Sequence, residues 1–192
     1  METSKGIRCF IAIELSHEIK SALRSLQDKF KKFGADVRWV HPDNIHLTLK
    51  FLGSVNEKDT LKVINSMTDV CKKYPAFILE IKGIGIFPNI NSPRVLWVGA
   101  EGDGILKGLQ KDIEHGMEKI GVEQKDRKFT AHLTLGRFRS LTGKENLLKQ
   151  IKLHENDSFG AIDIKSLSLM NSELHPSGSR YTRLAEVLLG QN

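Results

Sequence analysis

Cysteine and long apolar segments are scarce in this sequence. The 192 residues include two cysteines, Cys9 and Cys71, which lack the close spacing of metal ligands and are too few for a disulfide framework. The longest apolar runs, residues 9–13 and 95–98, are far shorter than the roughly 20 residues that span a membrane. The charged N-terminal residues contain no apolar signal segment. We therefore expect a protein without disulfides or membrane spans, located in the cytoplasm.

Motifs for metal-dependent or ATP-driven chemistry are also missing. His17-Glu18 and His154-Glu155 lack the second histidine that completes the helical zinc motif. A zinc site would need a third ligand, usually a carboxylate or a cysteine, in register with a histidine pair. The sequence has no Gly-x-x-x-x-Gly-Lys loop, and residues 99–104 are typical of a turn before a helix. The sequence therefore predicts neither a metal nor a cofactor.

The composition is that of a basic globular protein. With 40% apolar residues, the chain can bury a core and fits one domain or two closely packed lobes. The formal net charge of +6 and the pI of about 9.3 favour salt-dependent encounters with polyanions. A solvated lysine-rich surface explains the same charge equally well. The charge becomes informative only beside a site that suits a phosphate.

The most specific feature is a repeated tetrapeptide. His46-Leu47-Thr48-Leu49 occurs again as His132-Leu133-Thr134-Leu135. Successive side chains of a strand point to opposite faces, so the His and Thr of each copy share one face and the leucines share the other. If the two strands are neighbours, two imidazoles and two hydroxyls converge on a small volume that suits a phosphate. A single His-x-Thr usually has no function, because both residue types fit a half-buried sheet.

The two copies belong to a larger repeat. Their offset of 86 residues also carries Arg8 onto Arg94, at the start of two short apolar runs, and none of the other five histidines meets a histidine at this offset. We therefore predict an α+β fold with two pseudo-symmetric lobes of antiparallel sheet, helices packed outside and a central cleft. Residues 1–192 would form a single domain of two duplicated halves, approximately 1–90 and 91–192, with one strand over residues 162–170.

These paired strands resemble the two-histidine phosphoesterase superfamily, in particular its RNA 2′,3′-cyclic phosphodiesterase branch, also known as 2′-5′ RNA ligases. The resemblance covers nearly the whole chain. It includes residues 8–15, 39–40, 46–53, 94–99, 132–137 and 172–174, followed by Gly178 and Tyr181. It implies metal-independent hydrolysis of a 2′,3′-cyclic phosphate, on RNA or on a nucleotide, to a 2′-phosphate. It also implies that RNA ends are joined, if at all, by reversal of this chemistry.

The residue chemistry supports such a reaction independently. In-line displacement at phosphorus needs a base for the attacking water and an acid for the departing oxygen, and two histidines can supply both near neutral pH. Spacing does not decide which histidine has which role. The resemblance implies that His46 is the proton donor to the 3′ oxygen and that His132 is the proton acceptor. The hydroxyls of Thr48 and Thr134 would hold the non-bridging phosphate oxygens.

Four further residues are candidates for substrate binding. Arg137 matches the arginine that follows the family's second motif, and its planar guanidinium suits phosphate oxygens; a surface arginine at a strand end is the alternative. Phe10, Phe51 and Tyr181 are candidates to stack on a base, while core packing is the commoner role for Phe10 and Phe51. We expect RNA ends, tRNA among them, or cyclic nucleotides as partners, and a monomeric protein.

A second class of protein is compatible with the same residues. A module that binds RNA ends or nucleotides in this cleft without turning them over would use the same surface, because a fold does not guarantee activity. The presence of both histidines and both threonines favours the enzyme.

Overall fold

The computed structural model describes residues 6–123, 128–176 and 178–190. Within these ranges, four α-helices are interspersed among nine β-strands. In chain order they are β1 (Ile7–Glu14), α1 (His17–Lys31), β2 (Val37–Trp39), β3 (His46–Val55), α2 (Thr60–Cys71), β4 (Phe77–Pro88), β5 (Pro93–Glu101), α3 (Ile105–Lys119), β6 (His132–Phe138), α4 (Lys144–Leu153), β7 (Ser158–Ile164), β8 (Ser166–His175) and β9 (Gly178–Leu188). Short 3₁₀ turns, Pro42–Asn44 and Glu57–Asp59, precede β3 and α2.

All strands of the described residues belong to one antiparallel sheet. The order along the sheet is β7-β4-β5-β6-β3-β1-β8-β9, and β2 pairs with β6 beside this path. The two strands that begin with the repeated histidines, β3 and β6, are therefore neighbours in the middle. On this path, the boundary between them has four strands on each side.

The first helix shows how the local sequence builds the core. The Ser16 hydroxyl accepts a hydrogen bond of 3.4 Å from the Ile19 backbone N–H, which is a common way to begin a helix. Ile19, Leu23, Leu26 and Phe30 follow at intervals of three and four residues and are all buried. An apolar stripe with this spacing faces the protein interior, so the sequence of α1 determines the side that packs on the sheet.

One face of the sheet is covered by the helices. The main apolar core joins the buried faces of all four helices in the described residues to the leucines of the two motif strands. Leu47, Leu49, Leu133 and Leu135 are each at most 3% exposed. Since alternation sends the histidine and threonine of each strand to the other face, burial of the leucines leaves the polar face open. The predicted α+β class, with antiparallel strands and helices outside, is confirmed.

Each side of the sheet contains strands from both halves of the chain. β4 pairs with β5, and β8 pairs with β1. β4, from the first half, therefore pairs with a strand of the second half, and β8, from the second half, pairs with a strand of the first. The strands of both halves form one continuous sheet. The division of the chain at about residue 90 stays a prediction from the sequence repeat.

The single strand predicted over residues 162–170 is wrong, because the chain forms two strands, β7 and β8, separated at Lys165. β7 pairs with β4 at one end of the strand order, whereas β8 lies between β1 and β9 near the other end. The apolar pattern continues across the break because Ile162, Ile164, Leu167 and Leu169 all enter the same core. Periodicity reports burial, and it does not identify the neighbouring strand.

Candidate active site

The two motif strands meet near their histidine ends. β3 and β6 run antiparallel, and Leu47 is paired with Leu133. In this register His46 lies opposite Thr134, and Thr48 lies opposite His132. The two histidines are therefore diagonal neighbours. Diagonal neighbours on one face of an antiparallel pair are about 7–8 Å apart. This separation leaves room for one phosphoryl group between the imidazoles.

A cleft opens over the polar face of these strands. Past the Leu47–Leu133 pair, β6 pairs with β2 in place of β3. Arg38 is paired with Arg137, and Trp39 is paired with Gly136. The cleft has a volume of about 1310 Å³. The structure brings the four residues of the repeated motif together in its wall: His46, Thr48, His132 and Thr134.

Both imidazoles are held by the backbone in the same way. The Nδ1 atom of His46 lies 2.8 Å from the Asn44 carbonyl oxygen, and that of His132 lies 2.7 Å from the Thr130 carbonyl oxygen. A carbonyl oxygen can only accept, so Nδ1–H is the donor in each bond and Nε2 is the nitrogen that gains or loses a proton. The acceptor is two residues before the histidine in both copies. Each ring can therefore donate or accept a proton through Nε2.

His46 is packed among aromatic rings. The Phe10 ring stacks on it at a centroid distance of 4.7 Å, and the Tyr181 ring meets it edge-on at 5.2 Å. Burial lowers the pKa of His46 below its ordinary value, and the charges of Lys20 and His132 act in the same direction, against the hydrogen bond to Asn44 and the charge of Glu14. In the free protein, His46 is therefore mainly uncharged at pH 7.

His132 has its own aromatic neighbours. The Phe87 ring meets it edge-on at 5.1 Å, and the Trp97 ring lies 6.5 Å away. Trp97 also covers Gly85, where a Cβ atom would lie 2.2 Å from the indole. Only glycine fits under this ring, so the sequence of β4 makes room for the tryptophan beside the histidine. Neither aromatic neighbour was predicted, because β4 and β5 could not be placed next to β6 from periodicity alone.

The remaining predicted residues have different surroundings. Arg137, Phe51 and Tyr181 line the cleft, and Phe51 is 57% exposed. Phe10 is 2% exposed and lies beneath the His46 ring. The prediction that Phe10 stacks on a base is wrong, since almost none of its surface is free; the structure gives it the packing role instead.

Cations dominate the wall of the cleft. Seven arginine and lysine side chains line it against one carboxylate, that of Glu114, among the described residues. Glu114 is itself paired with Lys50. The other six cations are Arg8, Lys31, Arg38, Lys128, Arg137 and Arg180. Such a wall attracts ligands that carry phosphate groups.

Arg38 is a cleft cation that was not predicted from the sequence. It lies opposite Arg137 across the β2–β6 pair, and both side chains line the cleft. Like charges opposite each other in a sheet repel, and a bound anion relieves that repulsion. No sequence pattern indicates this pair, because a strand of three residues is too short to reveal its partner.

Several other features of the described residues bear on the chemistry. None of their helices is long and apolar enough to cross a bilayer, and they contain no group of three or more His, Cys, Asp or Glu placed to hold a metal ion.

Cys9 and Cys71 are buried free thiols, as expected. Burial raises the pKa of Cys9 to about 11 and that of Cys71 to about 12, so neither thiol is a nucleophile at neutral pH.

We expect His46 to titrate below pH 6.5 in the free protein, as measured by NMR on its Hε1 proton and assigned with the H46Q variant. The unfolded chain has the ordinary pKa near 6.5, so it binds more protons than the folded chain between the two pKa values. The contribution of His46 to the free energy of unfolding therefore falls as the pH drops through this window. A midpoint at or above 6.5 would contradict the aromatic burial of the ring.

Comparison with known proteins identifies the family. A model of LigT-like phosphoesterases matches residues 13–97 and 100–181. An RNA 2′,3′-cyclic phosphodiesterase of Methanothermobacter thermautotrophicus is 33% identical over 176 residues, covering 92% of this chain and 95% of that protein. One from Aquifex aeolicus is 32% identical over 190 residues, covering 97% and 99%.

Solved structures share the fold. The crystal structure of a Thermus thermophilus protein matches with a TM-score of 0.82 at 28% identity, over 96% of this chain and 98% of that one. E. coli LigT complexed with 3′-AMP matches with a TM-score of 0.78 at 25% identity, over 97% and 100%. Since the family model spans most of the sequence, this chain belongs to the LigT-like phosphoesterase family.

Proposed function

We propose that this protein hydrolyses the 2′,3′-cyclic phosphate at the end of an RNA, or on a nucleotide, to a 2′-phosphate, and that it does so without a metal ion. One observation carries the proposal: two imidazoles enter one cleft, and each is held by a backbone carbonyl at Nδ1 so that Nε2 can exchange a proton. The curated relatives named RNA 2′,3′-cyclic phosphodiesterase support the same activity.

In the proposed reaction, water attacks phosphorus as the bond to the 3′ oxygen breaks. His132 accepts a proton from the water, and His46 donates a proton to the departing 3′ oxygen. The phosphate stays on the 2′ oxygen. Because the two histidines are diagonal neighbours on the same polar face, they can act on opposite sides of one phosphoryl group, as an in-line displacement requires.

The donor role requires a protonated His46, although its pKa is depressed in the free protein. The cyclic phosphate brings a negative charge next to the ring, and a nearby opposite charge stabilises the imidazolium. We therefore propose that His46 takes up a proton as the substrate binds. The assignment of donor and acceptor itself rests on the family resemblance, since the two motif copies are geometrically alike.

The other polar groups of the cleft would hold the phosphate and the nucleoside. Thr48 and Thr134 lie beside the opposite histidine and can donate hydrogen bonds to non-bridging oxygens, where negative charge accumulates during the reaction. Arg137 can bind the same oxygens through its planar guanidinium. Phe51 and Tyr181 line the cleft and present rings on which a base can stack.

RNA ends, tRNA among them, are the substrates that we propose, with cyclic nucleotides as smaller versions of the same ring. The cationic wall supports a ligand with several phosphates. E. coli LigT was crystallised with 3′-AMP, which supports binding of a ribonucleotide. Reversal of the same reaction would join RNA ends through a 2′-5′ bond.

We further propose that the protein works as a monomer of two duplicated halves, in the cytoplasm, where RNA ends are available to it. One chain supplies both histidines, both threonines and the cationic wall of the cleft. The shared place of the motif at the start of β3 and β6 supports the duplication.

Identifying the product tests the proposed function. The protein is incubated with adenosine 2′,3′-cyclic phosphate in the presence of a chelator, and the two isomers of AMP are separated by chromatography. We expect only the 2′-phosphate, because the 3′ oxygen is the one that leaves. A 3′-phosphate would mean the opposite bond cleavage. Tight binding without any turnover would support the binding module instead, and activity that zinc restores after chelation would require a metal.

A further inference from the structure

The two motif strands contain a β-bulge at the same place. In β3, Thr48 pairs with Ala12 and Lys50 pairs with Ile11, so Leu49 is an extra residue. In β6, Thr134 pairs with Trp97 and Gly136 pairs with Leu96, so Leu135 is an extra residue. Leu49 and Leu135 are both the last residue of the repeated tetrapeptide.

Each bulge reverses the alternation of side chains in the residues that follow it; in β3 this holds up to Leu52, where a second register shift occurs. With strict alternation, residues 51 and 137 would lie on the same face as the buried leucines. Instead, Phe51 and Arg137 line the cleft, and the next residues, Leu52 and Phe138, pack on the core. An extra residue in one strand has this effect because the side-chain period of a strand is two. Without the bulge, Arg137 would point into the core, which a charged side chain without a partner does not tolerate.

A buried glutamine binds the carbonyl oxygen of each extra residue. Gln27 of α1 donates from Nε2 to the Leu135 oxygen at 2.8 Å and to the Val40 oxygen at 2.8 Å. Gln110 of α3 donates from Nε2 to the Leu49 oxygen at 3.4 Å. Gln27 is 0% exposed and Gln110 is 9% exposed. The residue that a bulge adds lies outside the regular ladder, so its buried carbonyl needs a partner. The Leu135 oxygen also accepts a hydrogen bond of 2.9 Å from the Val40 N–H, so Gln27 fastens this oxygen and the Val40 carbonyl together.

We propose that Gln27 and Gln110 are positioning residues for substrate binding. Each stabilises the bulge that turns one substrate-facing side chain into the cleft: Gln27 acts on Arg137, and Gln110 acts on Phe51. This inference rests on the proposed function, because it takes Arg137 as a ligand of the phosphate and Phe51 as a platform for the base. Through these hydrogen bonds to the backbone of the motif strands, helices α1 and α3 become part of the binding site.

Double-mutant cycles test the proposal with the full chain. Q27M keeps the length and the burial of the side chain but removes the donor. We expect it to raise KM for adenosine 2′,3′-cyclic phosphate about tenfold, with little change in kcat. The Val40 carbonyl loses its bond from Gln27, and the Leu135 oxygen keeps only the bond from the Val40 N–H, so the bulge is held less firmly. In the R137A background, Q27M should change KM by less than about twofold, because the side chain that it positions is already absent.

The second glutamine provides the matched control. Q110M should be coupled to F51A in the same way and should be additive with R137A, whereas Q27M should be additive with F51A. L26M, on the same helix as Gln27 and also within the core, should leave KM and kcat unchanged. A thermal melt of each variant verifies that the protein is folded, and a general loss of structure would change all four cycles alike.

Two results would overturn the inference. Additive effects of Q27M and R137A would mean that Gln27 does not act through Arg137, and a Q27M variant with the KM of the wild type would mean that the bulge does not need its donor. If the wild-type protein turned over no cyclic nucleotide, the proposed function would fail separately. The same cycles would then be measured as the Kd for adenosine 2′-monophosphate, where coupling would support the positioning role and additivity would contradict it.

Discussion

Replacing His132 or His46 with alanine is expected to lower kcat for hydrolysis of adenosine 2′,3′-cyclic phosphate by a factor of about 10² to 10⁴, the range for a positioned acid or base. Each variant removes one of the two Nε2 atoms that enter the cleft, while the hydrogen bond at Nδ1 shows that the ring is oriented by the backbone and not by the substrate. Steady-state kinetics with a saturating substrate measures the effect.

A histidine outside the cleft provides the control for this experiment. His115 is exposed on α3, where it pairs with Glu118, and H115A should retain the kcat of the wild type. Unchanged turnover in either H46A or H132A would contradict the proposed catalysis. The H46A/H132A double variant should be little slower than the worse single variant, because residues that act as a unit in one step are not additive.

Replacing Lys50 with methionine is expected to lower the free energy of unfolding by about 3–5 kcal/mol, the cost of leaving one partner of a buried ion pair without the other. The Lys50 side chain is 3% exposed and that of Glu114 is 15% exposed. Lys50 Nζ also donates to the Glu123 carbonyl oxygen at 2.7 Å. Urea unfolding, with the slope compared between variants, measures the change.

Two further variants make this prediction specific to the buried pair. In K50M/E114M both charges are replaced by apolar side chains of similar length, so most of the lost stability should return. K82M removes an exposed lysine that pairs with Glu80 and Glu101, and its effect should be much smaller because solvent screens those pairs. A K50M variant that is as stable as the wild type, or a double variant that is no better than K50M, would show that the pair does not stabilise the fold.

The repeated tetrapeptide allowed the centre of the site to be predicted. Strand alternation placed His46 and Thr48 on one face, and the recurrence after 86 residues indicated that a second strand carries the same face. Both conclusions depend on local geometry and on a repeat, which a sequence displays directly. They required only that the two strands be neighbours, and the pairing of Leu47 with Leu133 makes them so.

The surroundings of the histidines were not predictable in the same way. Phe10 was a candidate to stack on a base, with core packing as its commoner role, and it lies beneath the imidazole of His46. Phe87 and Trp97 approach His132 from strands that no pattern placed there. Periodicity shows that a residue is buried, but it does not show against which residue of another element it packs.

Strict alternation would also have misplaced Arg137. It lies three residues after Thr134, on what would be the face of the leucines, and only the family resemblance pointed to it. The bulge at Leu135 brings it into the cleft. Gln27, which holds this bulge, does leave a trace in the sequence, because it is a polar residue four positions after Leu23 on the apolar face of α1.

The sequence by itself determined the α+β class, the two histidine strands and the polar face that they share, because these follow from the side-chain period of a strand and from the repetition of a motif. The tertiary structure alone decided which strands are neighbours, which strands of one half pair with strands of the other, and which side chains surround each imidazole. The physical reason is that hydrogen bonds between strands and contacts between helices and sheet join residues far apart in the chain. Such contacts depend on the packing of the whole core, which no local stretch of sequence contains.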